Sequence, residues 1–366
     1  MTDGANLRSL TSLRFFAALW VVLFHYWPNL TGSDIMPAFI SKGYLGVELF
    51  FTLSGFILCH VYRTSVEAGS FRYGAFLWAR LARVYPLHIA TLVGLGAVAM
   101  IATAAGVHVD PNILSWASLP AQLTLTQAWG LAPVAGWNHP SWSISAEWFA
   151  YLTFPLFAWV ALKLKDRPIM GVALAIVFLT TLYVGFQSIV GFPLTRATIS
   201  WGALRIVPCF ALGCALHAFW RAKPARNANF ALAGVLVSGG AAVILSTTGG
   251  SDALIVTALG GLILFLARLA QTGSKILTQA PLVYLGEISY SIYMICIPWK
   301  IVFVNAATRV LELSNNQLPL IAWLVFLGST ISLAALSYHI VEKPSRAAMK
   351  LIAESRATRQ SSLLSA

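Results

Sequence analysis

Arg14 and His25 stand eleven residues apart in the first long apolar segment of the chain, residues 13–27. Eleven helical residues rise about 16 Å and turn through about three rotations, so the two side chains share a face. With Arg14 near one boundary, the histidine comes to lie about halfway across a hydrocarbon core of about 30 Å. An imidazole can take a proton from a hydroxyl near neutral pH, and a guanidinium can hold an anion beside it. Ionisable groups in a spanning helix are costly and face a cavity or a partner, which marks the pair for function. An arginine reaching back to lipid phosphates, beside a hydrogen-bonded packing histidine, explains the same two residues.

A second polar group enters with His139-Pro-Ser-Trp-Ser-Ile-Ser-Ala-Glu-Trp148. Ser143 and Glu147 are four apart and share a helical face. With Trp142 at the boundary, Glu147 lies about 8 Å below it, a depth comparable to that of His25. A carboxylate there would hold the imidazole in one tautomer, as general-base activation of an alcohol requires. Two unrelated polar residues, each satisfied locally, are the alternative.

In Phe76-Leu-Trp-Ala-Arg-Leu-Ala-Arg-Val-Tyr-Pro86, Arg80 and Arg83 share a face, and two planar forks of donors can clamp a phosphate or pyrophosphate. A basic flank binding lipid headgroups is the plain alternative. The position favours the clamp, because a short interfacial helix is expected to meet a span at Pro86. In Gly46-Val-Glu-Leu-Phe-Phe-Thr-Leu-Ser-Gly-Phe56, Glu48 sits near the outer end of a span, and Ser54-Gly55 permits close approach of a helix or ligand. Glu48, Ser54 and Ser143 are the candidate substrate contacts. Packing and an interfacial position explain Glu48 and Ser54 equally well.

Of the 366 residues, 58% are hydrophobic and 10% charged, and the mean hydropathy is +0.77. Soluble domains keep about a quarter of their residues charged, so the composition is that of a polytopic membrane protein. A cleavable leader is not expected, because the first apolar segment contains Arg14 and His25 and no small-residue cleavage site follows. Apolar runs predict about ten spans, at 13–27, 46–62, 86–106, 142–162, 170–190, 203–220, 230–247, 253–269, 282–304 and 318–340. The fold class is therefore an all-α transmembrane bundle. Residues 1–353 form one integral domain, and 354–366 a polar C-terminal tail.

The net charge of +12 does not call for nucleic acid, because the cations segregate. With both termini cytoplasmic, the outer side holds only Lys42, Arg196, Arg205, Lys300 and Arg309 of the 24 Lys and Arg residues. Arg8, Arg63, Arg72, Lys163, Lys223, Arg226, Arg356 and Arg359 fall inside with the rest, as the positive-inside rule requires. The connection 107–141 is rich in Trp, Pro and Gln and is expected to fold back over the outer face. His60, His88, His217 and His339 fall near cytoplasmic boundaries, and His108 and His139 in the outer loop. Cys59, Cys209, Cys214 and Cys296 lie in apolar segments without ligand spacing, so no metal and no disulfide framework is expected. No Gly-x-Ser-x-Gly, Walker or zinc-protease pattern occurs.

The ordered motifs resemble the acyltransferase-3 family of integral membrane acyltransferases. They are Arg14 and His25, Glu48-Leu-Phe-Phe-Thr-Leu-Ser-Gly-Phe56, Arg80-Leu-Ala-Arg83 and Ser141-Trp-Ser-Ile-Ser-Ala-Glu147. Phe210-Ala-Leu-Gly213, Gly286-Glu-Ile-Ser-Tyr-Ser-Ile-Tyr293 and Tyr338-His-Ile-Val-Glu-Lys-Pro344 follow. The resemblance implies transfer of an acyl group, with acetyl expected, from cytoplasmic acyl-CoA to a hydroxyl of a carbohydrate or lipid-linked glycan. It implies catalytic roles for His25 and Arg14, donor binding by Arg80 and Arg83, and active-site support from Glu147 and its serines. Compactness and the absence of targeting signals favour the bacterial cytoplasmic membrane as the chain's location. The histidine that members often carry after the Ser-Tyr-Ser-x-Tyr stretch is replaced here by Ile295-Cys296-Ile297. The hydrolase-like domain fused to some members is not expected, so this chain completes the transfer or hands the group to a separate partner. A transporter or glycan or lipid flippase using Arg14, His25 and Glu147 as a relay is the rival class.

Overall fold

The computed structural model describes residues 7–364 other than 33, 108, 223–226 and 314, with side chains as far as Ser355. His108, Lys223, Arg226 and the side chains of Arg356 and Arg359 therefore lie outside the described residues. The helices, in order, are α1 (Arg8–Tyr26), α2 (Ala38–Ser41), α3 (Gly46–Glu67), α4 (Tyr73–Ala104), α5 (Leu119–Leu123), α6 (Trp142–Leu152) and α7 (Phe154–Lys163). They continue with α8 (Pro168–Val190), α9 (Gly202–Ala222), α10 (Ala228–Thr247), α11 (Asp252–Gln271), α12 (Ala280–Glu287), α13 (Ser289–Val310), α14 (Leu320–Ser337) and α15 (Lys343–Leu364). Among the described residues no strand forms, and nine helical stretches are long and apolar enough to span a membrane, or ten if the bent α6–α7 pair is one span. The spans read from the sequence recur with shifted ends.

The shifts have local causes. The first helix begins at Arg8, because Arg8, Ser9 and Thr11 continue it beyond the apolar run. Its last turn therefore contains His25, which stands near the far end of the span instead of halfway along it. No separate interfacial helix precedes Pro86, since α4 runs through that proline for 32 residues. Pro86 removes one backbone donor without ending the helix, and the Tyr290 hydroxyl donates to the Val84 carbonyl at 2.7 Å beside it. With α4 extended to Tyr73, His88 is not at a boundary. It is buried in mid-helix and hydrogen-bonds the Gln122 carbonyl at 2.9 Å. The fourth span is bent by 57° between α6 and α7, where Pro155 cannot continue the ladder.

The face that carries the start of α1 also carries the ends of α3 and α7 and the start of α4; it is called here the terminal face. α3 and α9 are central and largely buried, whereas α10 and α14 lie at the periphery with most of their apolar side chains at least partly exposed. The α3–α9 contact is the most extensive in the molecule because two glycines interlock. A methyl group on Gly55 would overlap the Phe210 carbonyl, and one on Gly213 the Thr52 carbonyl. The connection before α6 does fold back, and its polar residues turn inward. Gln122, Gln127, Asn138 and Ser141 are all buried there. Asn138 donates to the Met294 carbonyl at 3.0 Å, the group that Pro298 leaves without its helical donor. The 354–366 tail begins as a continuation of α15 and stays helical to Leu364.

Candidate active site

Helices α1, α3, α4, α6 and α13 enclose a cavity of about 150 Å³. Arg14, Arg80, Arg83, Glu147, Ser54 and Ser143 all line it, with Tyr151, Tyr290 and Tyr293 and an apolar wall from α3. The sequence scattered these six candidates over 134 residues, and helix packing gathers them. The α3 lining runs from Val47 to Leu58, about 16 Å along the helix. The cavity is therefore elongated across the span, with the arginines toward the terminal face.

The lining is unevenly charged. Three guanidiniums face one carboxylate, Glu147, which accepts from Ser54 Oγ at 2.8 Å. Arg14 lies over the Phe50 ring at 6.0 Å, and Arg83, Glu147 and Glu342 are the charged groups that act on it. Arg80 lies over the Tyr62 ring at 5.7 Å and reaches the Tyr62 hydroxyl at 3.4 Å, and its Nε is buried without a hydrogen-bond partner. Among the described residues no protein acceptor is bonded to Arg14 or Arg83. Buried cations are costly unless paired, so these unpartnered donors suit an anion.

Two candidates lie elsewhere. Glu48 is fully buried and held by Arg205, whose Nη2 reaches Oε2 at 3.0 Å and whose Nη1 donates to the Ala197 carbonyl at 2.8 Å. Arg205 also lies over the Trp142 ring at 4.5 Å. That cluster braces α3, α9 and α6, and Glu48 does not line the cavity. His25 does not line it either. Its backbone carbonyl accepts from Lys300 Nζ at 2.8 Å, its ring meets Phe24 edge-on, and the titratable groups near it are His139 and Lys300 rather than Glu147.

His25 nonetheless stands close beyond the far end of the cavity. Ser143 and Tyr293, which line that end, both donate to the Pro140 carbonyl at 3.1 Å. His139 precedes Pro140 directly. Sequence reasoning takes Lys300 and His139 as ordinary outer residues; a cation inside the apolar run 282–304 is the available signal.

The acyltransferase-3 family model, described as an acyltransferase domain, matches residues 7–339. Acyltransferase MdmB of Streptomyces mycarofaciens is 29% identical over 79% of this chain and 78% of that protein. Protein 2 in picA locus of Rhizobium radiobacter is 35% identical over 38% of this chain and 75% of that protein. O-acetyltransferase OatA of Staphylococcus aureus is 24% identical over 94% of this chain, which spans 58% of its length. No solved structure matches the chain.

Proposed function

This chain belongs to the acyltransferase-3 family, and from that premise we propose that it moves an acyl group, acetyl by preference, from cytoplasmic acyl-CoA to a hydroxyl of a carbohydrate or lipid-linked glycan across the bacterial cytoplasmic membrane. One observation carries the donor assignment: Arg14, Arg80 and Arg83 converge on an elongated cavity with a single carboxylate. Phosphates of the donor sit on Arg80 and Arg83, where a guanidinium fork offers paired donors. The neutral pantetheine arm then runs along the apolar α3 wall and brings the thioester toward Ser143 and His25.

The acceptor enters from the face opposite the termini, which is the outer face when the termini are cytoplasmic. An imidazole nitrogen of His25 takes the hydroxyl proton as the oxygen attacks the thioester carbon. The carbon–sulfur bond of the tetrahedral intermediate breaks, the ester is released, and the departing thiolate takes the proton back from the imidazolium. Attack by His25 itself, through an acyl-histidine, is the covalent form of the same reaction. A stoichiometric burst of CoA without acceptor distinguishes it. Glu147, next to Ser54 and the arginines, sets the charge of the donor end.

The test is thioester consumption and transfer of labelled acetyl to envelope glycans in membranes with wild type or His25→Ala at matched expression. The reading expects donor-dependent labelling that falls by about 10²- to 10⁴-fold in the variant. Labelling equal to that of empty membranes across acetyl and longer donors contradicts it.

A further inference from the structure

Glu342 is a buried carboxylate outside the cavity lining, 2% exposed, that accepts from Ser291 Oγ at 3.0 Å. It closes the π-turn Tyr338–Glu342, and one helical turn later, on α15, Arg346 stands 3.6 Å from its Oε1. Arg346 is the exposed member, at 43%. α15 packs against α4, and Trp78 Nε1 donates to the Met349 carbonyl at 2.9 Å. Two contacts thus set the register. Glu342 lies where its charge acts on Arg83 and Arg14, and Met349 lies at Trp78. Interpolation places Arg346 at the level of Arg80, and the charges of Arg83 and Arg80 both act on it.

The guanidiniums therefore form a ladder, from exposed Arg346 through Arg80 and Arg83 to Arg14. Four cations meet two carboxylates, Glu147 and Glu342. An acyl-CoA carries its own charges in a matching order. Its thioester arm is neutral, its pyrophosphate comes next, and its ribose 3′-phosphate is outermost.

We propose that Arg346, one helical turn beyond Glu342, binds the 3′-phosphate of the donor and makes the enzyme select intact acyl-CoA over 3′-dephospho-acyl-CoA. This rests on the acyl-CoA reading given above. Arg346 lies toward the terminal face, remote from His25, and acts as a specificity residue through the donor's nucleotide end. The Glu342 carboxylate draws Arg346 toward it across 3.6 Å without a hydrogen bond, which leaves the guanidinium donors free for a phosphate.

The experiment compares KM for acetyl-CoA and 3′-dephospho-acetyl-CoA in wild type, Arg346→Ala and Arg346→Lys. A charge-assisted contact corresponds to a preference of about tenfold or more. Wild type is expected to show that ratio, Arg346→Ala to bring it close to one by raising KM for acetyl-CoA, and Arg346→Lys to keep part of it. The lysine variant separates loss of the contact from loss of the fold. A wild-type ratio near one, or a ratio undiminished in Arg346→Ala, overturns the assignment while leaving the transferase reading intact. Wild-type protein that consumes neither thioester overturns both.

Discussion

Two clusters of charge lie within the same bundle and behave as opposites, one fully buried and one facing a cavity. At Glu48 and Arg205 one carboxylate meets one guanidinium, and Ala197 and Trp142 take up its remaining valence. At Arg14, Arg80 and Arg83 three guanidiniums share a cavity with one carboxylate, and an Nε is left without a partner. The first cluster is complete within the protein, so it serves the fold. The second is left incomplete by the described protein residues, and on the proposed reading the donor's phosphates complete it. Burial of charge alone therefore does not mark a site in a membrane bundle; an excess of one sign facing a cavity does.

The widest separation between the two is expected in stability. Glu48→Ala strands Arg205 in the bundle and should cost about 3–5 kcal/mol, read as loss of folded, monodisperse protein on heating in detergent. The double change Glu48→Met with Arg205→Met should recover most of it, because removing both charges is far cheaper than removing one. Failure of the double variant to recover would break the distinction.

A smaller effect of another kind is expected at Arg83. Arg83→Ala should raise the donor KM by about 10- to 100-fold, as loss of a charge-assisted contact of about 1.5–3 kcal/mol implies, with a melting temperature close to wild type. A fall in melting temperature to the level of Glu48→Ala would place Arg83 in the structural class.

The smallest change comes at Ser54. Its hydroxyl donates to Glu147 at 2.8 Å, so Ser54→Ala should weaken donor binding or turnover by about fivefold, near 1 kcal/mol. Complete loss of activity in that variant would mean that Ser54 touches the reacting groups.

The spans were legible because each needs about 20 apolar residues, and length plus composition carry that signal. Arg14, Arg80, Arg83, Ser54, Ser143 and Glu147 were legible as polar residues at helical spacing in or beside apolar runs. Their division of labour was not, because it depends on which helix lies opposite. Glu48 meets Arg205 across 157 residues of sequence, and Arg205 read as an outer-loop cation because it stands at the start of its span. His25 and Glu147 read as neighbours because both spans were measured from assumed boundaries. Starting α1 at Arg8 moves His25 toward His139 and Lys300, while Glu147 pairs with Ser54. Short-range rules likewise overstated Pro86, which the packing of α13 against α4 tolerates.

The most direct test of the central claim is ligand-induced stabilisation. Purified wild type, Arg83→Ala and the Glu48→Met/Arg205→Met double variant are melted with and without CoA. A ligand at 100 times its Kd adds about 2.7 kcal/mol to the folded state. The account predicts that CoA raises the melting temperature of wild type and the double variant and loses that effect in Arg83→Ala. Equal stabilisation of Arg83→Ala and wild type would contradict it.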